Sequence, residues 1–152
     1  MTEDQKPKTK SQYEHSAGGV VYKRTGDGIK ILLIKDKNGN WSFPKGLIEK
    51  NEDFIETAKR EIVEETGISN VTFVDTIDSI SYFYRFGGNL IRKKVDYYLF
   101  TYRGNGVPKP LAKEGIQEVK WFDPNEALAI IGYVKTNKPV LEKAISMIAN
   151  ND

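Results

Sequence analysis

Between Asn51 and Gly67 the chain places a dense set of carboxylates on a segment whose apolar spacing is helical, and this segment constrains the fold and chemistry more than any other. At roughly 100° per residue, Ile55, Ala58 and Ile62 share one face, and Glu65, Glu61 and Glu64 follow it round as a stripe near 280°, 240° and 180° from Ile55. Glutamates at i, i+3 and i+4 repel one another, and Glu65 lies beside Ala58 and Ile62, where losing water is costly. A merely solvated acidic face fits this poorly. The helix is expected to run from Glu52 to Thr66, with Asn51 as N-cap, Glu52 and Asp53 in the positive first turn, and Gly67 just past its end.

A hard divalent cation relieves such a cluster, because all-oxygen coordination suits Mg²⁺, with Mn²⁺ as a substitute. Composition narrows the alternatives. There is no cysteine and only one histidine, His15, so disulfides, thiol nucleophiles and zinc sites built on His or Cys are excluded. A formal net charge of +2 gives no overall case for a nucleic-acid or membrane binder, so any polyanion site must be local. No apolar run approaches the roughly 20 residues needed to cross a bilayer, and Met1 to Glu14 lacks the apolar core of a signal peptide, so the expected location is the cytoplasm.

The remaining pattern predicts one domain over residues 13–152, after a flexible tail over residues 1–12. Ala17–Lys23 and Ile29–Lys35 read as a hairpin, followed by an Asn38-Gly39 turn and the short apolar segment Trp41 to Phe43. Val71–Phe86 and Leu90–Arg103 flank a glycine-rich reversal at Gly87 to Asn89 and form a longer hairpin. Val119–Phe122 is a further strand, Asp123-Pro124-Asn125-Glu126 opens a short helix to about Ile131, and a last helix runs from Pro139 to about Ala149. This order predicts the α/β or α+β class: a mixed β-sheet between helices, an α/β/α sandwich.

From Gly46 to Ile68 the sequence GLIEKNEDFIETAKREIVEETGI fills every fixed position of the Nudix box, G-x5-E-x7-R-E-U-x-E-E-x-G-U, where U is aliphatic. A chance match in a chain this long is below roughly one in a million on average residue usage. The chain therefore resembles the Nudix hydrolases. That resemblance implies the Nudix fold and metal-dependent hydrolysis of a nucleoside diphosphate linked to another moiety. Carried over by position, Glu61, Glu64, Glu65 and the Gly46 carbonyl correspond to metal ligands, and Glu52 and Arg60 to a pair that holds the loop against the helix. Glu64 is the carboxylate chosen as general base. Lys50-Asn51 departs from the Pro-Gly common at this place, and Asn tolerates the left-handed backbone needed there.

Outside the box, SAGGVV at Ser16–Val21, WSFPKG at Trp41–Gly46 and KKVDYYLF at Lys93–Phe100 resemble the asymmetric bis(5'-nucleosyl)-tetraphosphatases, although diphosphoinositol polyphosphate hydrolases share the FPKG segment. By alternation Ile80, Tyr82 and Tyr84 share a hairpin face with Lys93, Val95 and Tyr97, an aromatic and cationic surface suited to a purine and its phosphates. Tyr133 resembles the position of a second aromatic against the base, and Lys45 is expected to face the phosphates. His15 reads as a surface residue, Arg85, Arg92 and Lys94 as a solvated edge, and Glu114 and Glu118 as weak candidates for an extra acidic ligand. The expected substrate is a small-molecule nucleotide, diadenosine tetraphosphate cut to ATP and AMP, with neither membrane nor nucleic acid as partner. The alternatives are pyrophosphohydrolysis of nucleoside triphosphates, diphosphoinositol polyphosphates or capped RNA ends, and a nucleotide-sensing binding protein without turnover.

Overall fold

A computed structural model of the chain describes residues 12–110 and 115–151. Its strands are β1 (Gln12–Thr25), β2 (Gly28–Lys35), β3 (Trp41–Ser42), β4 (Lys45–Leu47), β5 (Thr72–Phe86), β6 (Asn89–Thr101) and β7 (Glu118–Phe122). Its helices are α1 (Phe54–Thr66), α2 (Pro124–Ile130) and α3 (Val134–Ala149). The strands form one mixed sheet in the order β3-β2-β1-β6-β5, with β4 pairing β1 and β7 pairing β2. β1 and β6 run parallel and the other pairs antiparallel.

Alternation along the strands sends alternate residues to opposite sides, so the sheet has two cores. On one side Ala17, Val21, Leu32 and Phe100 pack with Ala58 and Ile62 of α1. On the other, Val20, Ile31, Leu33 and Leu99 pack with Val140, Leu141, Ala144 and Ile148 of α3. This is the expected sandwich. Each fully buried Ile or Leu contributes about 1.5–3 kcal/mol relative to exposure, so both layers are firmly held. Gly19 sets how closely α1 sits on the sheet: a Cβ there would lie 2.7 Å from Ile62 Cδ1.

Three boundaries differ from the sequence reading, each for a local reason. α1 is capped by Asp53, which accepts the Glu56 amide at 2.8 Å while Glu56 returns a bond to the Asp53 amide at 3.3 Å. Asn51 takes the left-handed backbone (φ 69°), which an N-cap does not use, so Glu52 lies in the loop and not in the helix. α3 begins five residues before Pro139, which forgoes one helical hydrogen bond inside it. β1 starts at Gln12, the last residue of the expected tail; the rest of that tail, residues 1–11, lies outside the described residues.

The three-residue strand β4 was not anticipated, because three residues carry no period. It exists because Ala17 and Gly18 leave room for it. A Cβ on Gly18 would meet the Pro44 oxygen at 2.6 Å, and β4 pairs Ala17 with Gly46 and Gly18 with Lys45. That pairing brings the start of the glutamate segment against α1. Among the described residues no helix is long and apolar enough to cross a membrane.

Candidate active site

The loop from Leu47 to Asp53 is fastened to α1 through a single cation. Arg60 donates from Nε to Glu52 Oε2 at 2.6 Å, and from Nη2 to Glu52 Oε1 at 3.0 Å and to the Leu47 carbonyl at 3.1 Å. Its Nη1 reaches Glu61 Oε2 at 2.8 Å and Glu64 Oε1 at 3.3 Å. Glu52 also accepts the Glu49 amide at 3.0 Å and the Thr57 hydroxyl at 2.8 Å. The bidentate bond from Arg60 outweighs the opposing effect of burial and holds the Glu52 carboxyl down at about 2. Arg60 is raised above its already high value, chiefly by the same bond.

Behind this brace lie the three helix glutamates. Glu61 and Glu65 are 4% and 5% exposed, deeper than a solvated face allows. Glu65 Oε1 accepts the Lys45 amide at 3.2 Å, which ties α1 to β4. Glu64 is the most open, with 30% of its side chain exposed. A Cβ on Gly46 would lie 2.1 Å from Glu61 Cδ, so the carboxylate rests directly on the glycine backbone. Among the described residues no three His, Asp or Glu side chains converge in a ready-made metal cluster, since Arg60 engages Glu61 and Glu64. The donor chemistry nevertheless suits Mg²⁺ or Mn²⁺, with several carboxylate oxygens and a backbone carbonyl on one patch and no nitrogen or sulfur donor.

Two cavities meet at this patch. One, of about 740 Å³, is lined by Gly46, Arg60, Glu61 and Glu65. The other, of about 620 Å³, is lined by Ile80, Tyr82, Tyr97, Tyr133 and Asn137. Asn38, Ser42, Lys45, Tyr84 and Lys93 border both, so they form one cleft.

The hairpin face is as alternation predicted, with Ile80 opposite Val95 and Tyr82 opposite Lys93. The turn is Gly87-Gly88, both at positive φ. Tyr82 and Tyr84 have ring centroids 6.3 Å apart. Tyr133 reaches the same cleft from the far side, 46% exposed, with its hydroxyl on Asp36 Oδ2 at 2.7 Å. Its position is fixed by the Gly132 amide, which donates to the Trp41 carbonyl at 2.7 Å, and by Asn137, whose Nδ2 donates to the Gly132 carbonyl at 3.1 Å.

Other residues fall elsewhere. Tyr97 is wholly buried against Phe43, with ring centroids 5.2 Å apart, and presents no open ring face. Burial pushes its hydroxyl far up, and among the described residues that oxygen has no hydrogen-bond partner. Glu118 pairs with Lys35 at 3.5 Å and does not line the cleft, and Glu114 lies outside the described residues. His15, read as a surface residue, is instead half-buried on Asp96 Oδ2 at 2.5 Å.

Two cleft residues escaped the sequence reading. Glu14 accepts the Tyr84 hydroxyl at 2.7 Å and lies 3.8 Å from Lys93 Nζ. Burial first, and this bond second, push the Tyr84 hydroxyl up to about 12. Extending β1 back past Ser16 would have put Glu14 on the Gly18 face. Asp36, the partner of Tyr133, is 97 residues away in sequence and gave no local signal.

A mixed sheet between helices, with a glutamate-rich helix braced to a glycine loop, is the arrangement against which the comparisons with known proteins are set. The NUDIX domain family matches residues 12–144, and the chain belongs to the Nudix hydrolase family. Mutator protein MutT4 of Mycobacterium tuberculosis is 32% identical over 134 residues, 80% of this chain and 50% of that protein. The chain thus spans about half the length of that relative, and less of several others. RNA pyrophosphohydrolase of Erythrobacter litoralis is 28% identical over 135 residues, 79% of this chain and 82% of that one. Among solved structures, a C. elegans Ap4A hydrolase in a binary complex superposes with a TM-score of 0.74 at 26% identity, covering 90% of this chain and 98% of that one.

Proposed function

We propose that this chain hydrolyses a phosphoanhydride bond of a dinucleoside polyphosphate, with diadenosine tetraphosphate cut to ATP and AMP. The observation that carries the reading is the joined cleft, in which a carboxylate patch and an aromatic pocket share Lys45, Tyr84 and Lys93 at their junction. Likeness to a C. elegans Ap4A hydrolase supports the same substrate class.

Each group then has a task. Tyr82, Tyr84 and Tyr133 hold one adenine, Tyr97 forms part of the pocket floor, and Lys45 and Lys93 offset the charge of the phosphate chain between the two halves. Gly46 through its carbonyl, with Glu61, Glu64 and Glu65, would hold Mg²⁺ or Mn²⁺. Bound there, a divalent ion supplies charge neutralisation for the phosphates. Glu64 takes the proton from the attacking water, since it alone of the three glutamates is substantially open to solvent. Arg60 and Glu52 keep the loop, and with it Gly46, in register with α1.

A second reading, removal of a 5' pyrophosphate from RNA, is favoured by the likeness to RNA pyrophosphohydrolase over most of that protein's length. Chromatography of early products from a panel of dinucleoside polyphosphates, nucleoside triphosphates, inositol pyrophosphates and 5'-triphosphate RNA decides between them. ATP with AMP from diadenosine tetraphosphate, at the highest kcat/KM of the panel, is the expected result. Two ADP per molecule, or faster release of pyrophosphate from RNA, rejects the first reading.

A further inference from the structure

On the sheet face turned towards α1, exposed rings and cations lie in a row across three strands. The register sets Phe83 of β5 opposite Arg92 of β6, and Arg92 opposite Tyr13 of β1. Phe83 and Tyr13 are 60% and 54% exposed, and the Arg92 guanidinium lies 5.4 Å from the centre of the Tyr13 ring. The row continues through His15, 6.1 Å from Tyr13, to Phe54 at the start of α1, 4.6 Å from His15 and 42% exposed. The adjacent row sets Ser81, Lys94 and His15 side by side, and Arg85 stands two residues beyond Phe83.

Single exposed apolar residues are ordinary, but a contiguous row of rings marks a surface that binds something. The charge on this face narrows what that is. Among the described residues no ion pair engages Arg85, Arg92 or Lys94. The carboxylate within these rows, Asp96, is engaged by His15 at 2.5 Å and by the Ser79 hydroxyl and also interacts with Lys94, which leaves Arg85 and Arg92 as the cations it does not offset. Asp53, beside Phe54, is used in capping α1. The whole-chain charge of +2 hides a local surface of open cations between open rings.

We propose that this face is a platform for single-stranded RNA. Bases stack on Tyr13, Phe83 and Phe54, and phosphates run past Arg85, Arg92 and Lys94. Strands about 4.8 Å apart put Tyr13 and Phe83 roughly 10 Å from each other, which leaves the Arg92 side chain between two stacked bases. The exposed Ser81 hydroxyl stands beside the row as a partner for a ribose 2'-hydroxyl. The platform lies on the opposite sheet face from Tyr82, Tyr84 and Lys93, so it is independent of which anhydride the cleft cuts.

Fluorescence anisotropy with a labelled RNA 10-mer bearing a 5'-hydroxyl tests this, because such an RNA offers no anhydride to hydrolyse and Mg²⁺ can be present throughout. The expected result is saturable binding that weakens with salt and falls at least fivefold in both Phe83→Ala and Arg92→Ala, while Phe83→Ala hydrolyses mononucleotide and dinucleotide substrates as the unaltered chain does. RNA binding that survives both substitutions and is displaced by ATP places the RNA in the cleft and overturns the proposal. Equal affinity for DNA of the same sequence overturns the assignment to RNA. No RNA binding, with a dimer in sedimentation that Phe83→Ala dissociates, makes the face a self-association surface and overturns it as well.

Discussion

Arg60 and Glu52 meet through two hydrogen bonds, at 2.6 and 3.0 Å, and the same guanidinium carries the Leu47 carbonyl at 3.1 Å. One side chain therefore joins the start of the loop, its end and α1. Removing it leaves Glu52 Oε2 and the Leu47 carbonyl without this donor, so Arg60→Ala should lower stability by about 2 kcal/mol, roughly 5 °C in Tm, together with activity. Glu64→Gln, at a half-open position, should lower activity and leave Tm within about 1 °C. Thermal unfolding beside kcat/KM for both variants checks this, and equal losses of Tm contradict the division of roles.

The same pair has a pH signature. Glu52 is held at about 2 in the folded chain against an ordinary value of 4.5. Its contribution to stability is therefore complete above about pH 4.5 and is lost as pH falls towards 2. The stability difference between the unaltered chain and Glu52→Gln should be constant from pH 7 to 5 and shrink below that. Denaturant midpoints measured across this range give the test, and a difference that grows on acidification has the wrong sign.

Glu65 supplies the second test of the carboxylate patch. Its burial at 5% exposed makes its charge costly unless matched, and the proposed divalent ion matches it. Mg²⁺ or Mn²⁺ at about a hundred times its Kd should add about 2.7 kcal/mol of stability, seen as a rise in Tm. Glu65→Gln should remove most of that rise and most turnover. Unchanged activity in excess chelator would count against the metal site altogether.

Gly46 leaves open the space that the Glu61 carboxylate occupies. A Cβ there would meet Glu61 Cδ at 2.1 Å, so Gly46→Ala must push the Glu61 carboxylate aside. A displacement near 1 Å in a positioned group costs on the order of 100-fold in rate. Gly46→Ala should show that loss in kcat, with Mg²⁺ response weakened in parallel. Kinetics beside metal-dependent melting would expose a purely structural defect, in which Tm falls but the response to Mg²⁺ persists.

Much of this site was legible in the sequence because its signals are local. The i, i+3, i+4 spacing placed Glu61, Glu64 and Glu65 on one stripe before any coordinates, and two-residue alternation put Tyr82 and Tyr84 on the face of Lys93. What was hidden depends on competition or distance. Asn51 and Asp53 are both fair caps, and the choice between them rests on Glu56 closing a capping box with Asp53. Helix α3 starts ahead of Pro139, with the Thr136 and Asn137 amides bonded back to the Tyr133 carbonyl and the buried Asn137 side chain donating to Ser42 Oγ at 3.3 Å, a tertiary contact no propensity encodes. Glu14 was masked by reading β1 too short, and Asp36 reaches Tyr133 only once β3 has placed residues 131–133.

Tyr133 offers the most specific test of the aromatic pocket, because its ring and hydroxyl have separable roles. It sits at the head of α3 in left-handed backbone (φ 50°, ψ 54°), pinned by its bond to Asp36. If the ring stacks on adenine, Tyr133→Ala should weaken substrate binding by about 1–3 kcal/mol, the usual value of a base–aromatic stack. Tyr133→Phe keeps the ring and loses only one exposed hydrogen bond, so it should cost about 0.5–1 kcal/mol, and Asp36→Ala should match it. Neither should change the Tm response to Mg²⁺, since the carboxylate patch is at the other end of the cleft. The clamped base also fixes which phosphorus lies over the attacking water. Loosening it in Tyr133→Ala should therefore blur the cleavage position, with ADP appearing beside ATP and AMP from diadenosine tetraphosphate. Binding by equilibrium titration and early products by chromatography report the two effects separately. Equal losses in the Phe and Ala variants, with product ratios unchanged, would assign Tyr133 to the fold and remove it from the pocket.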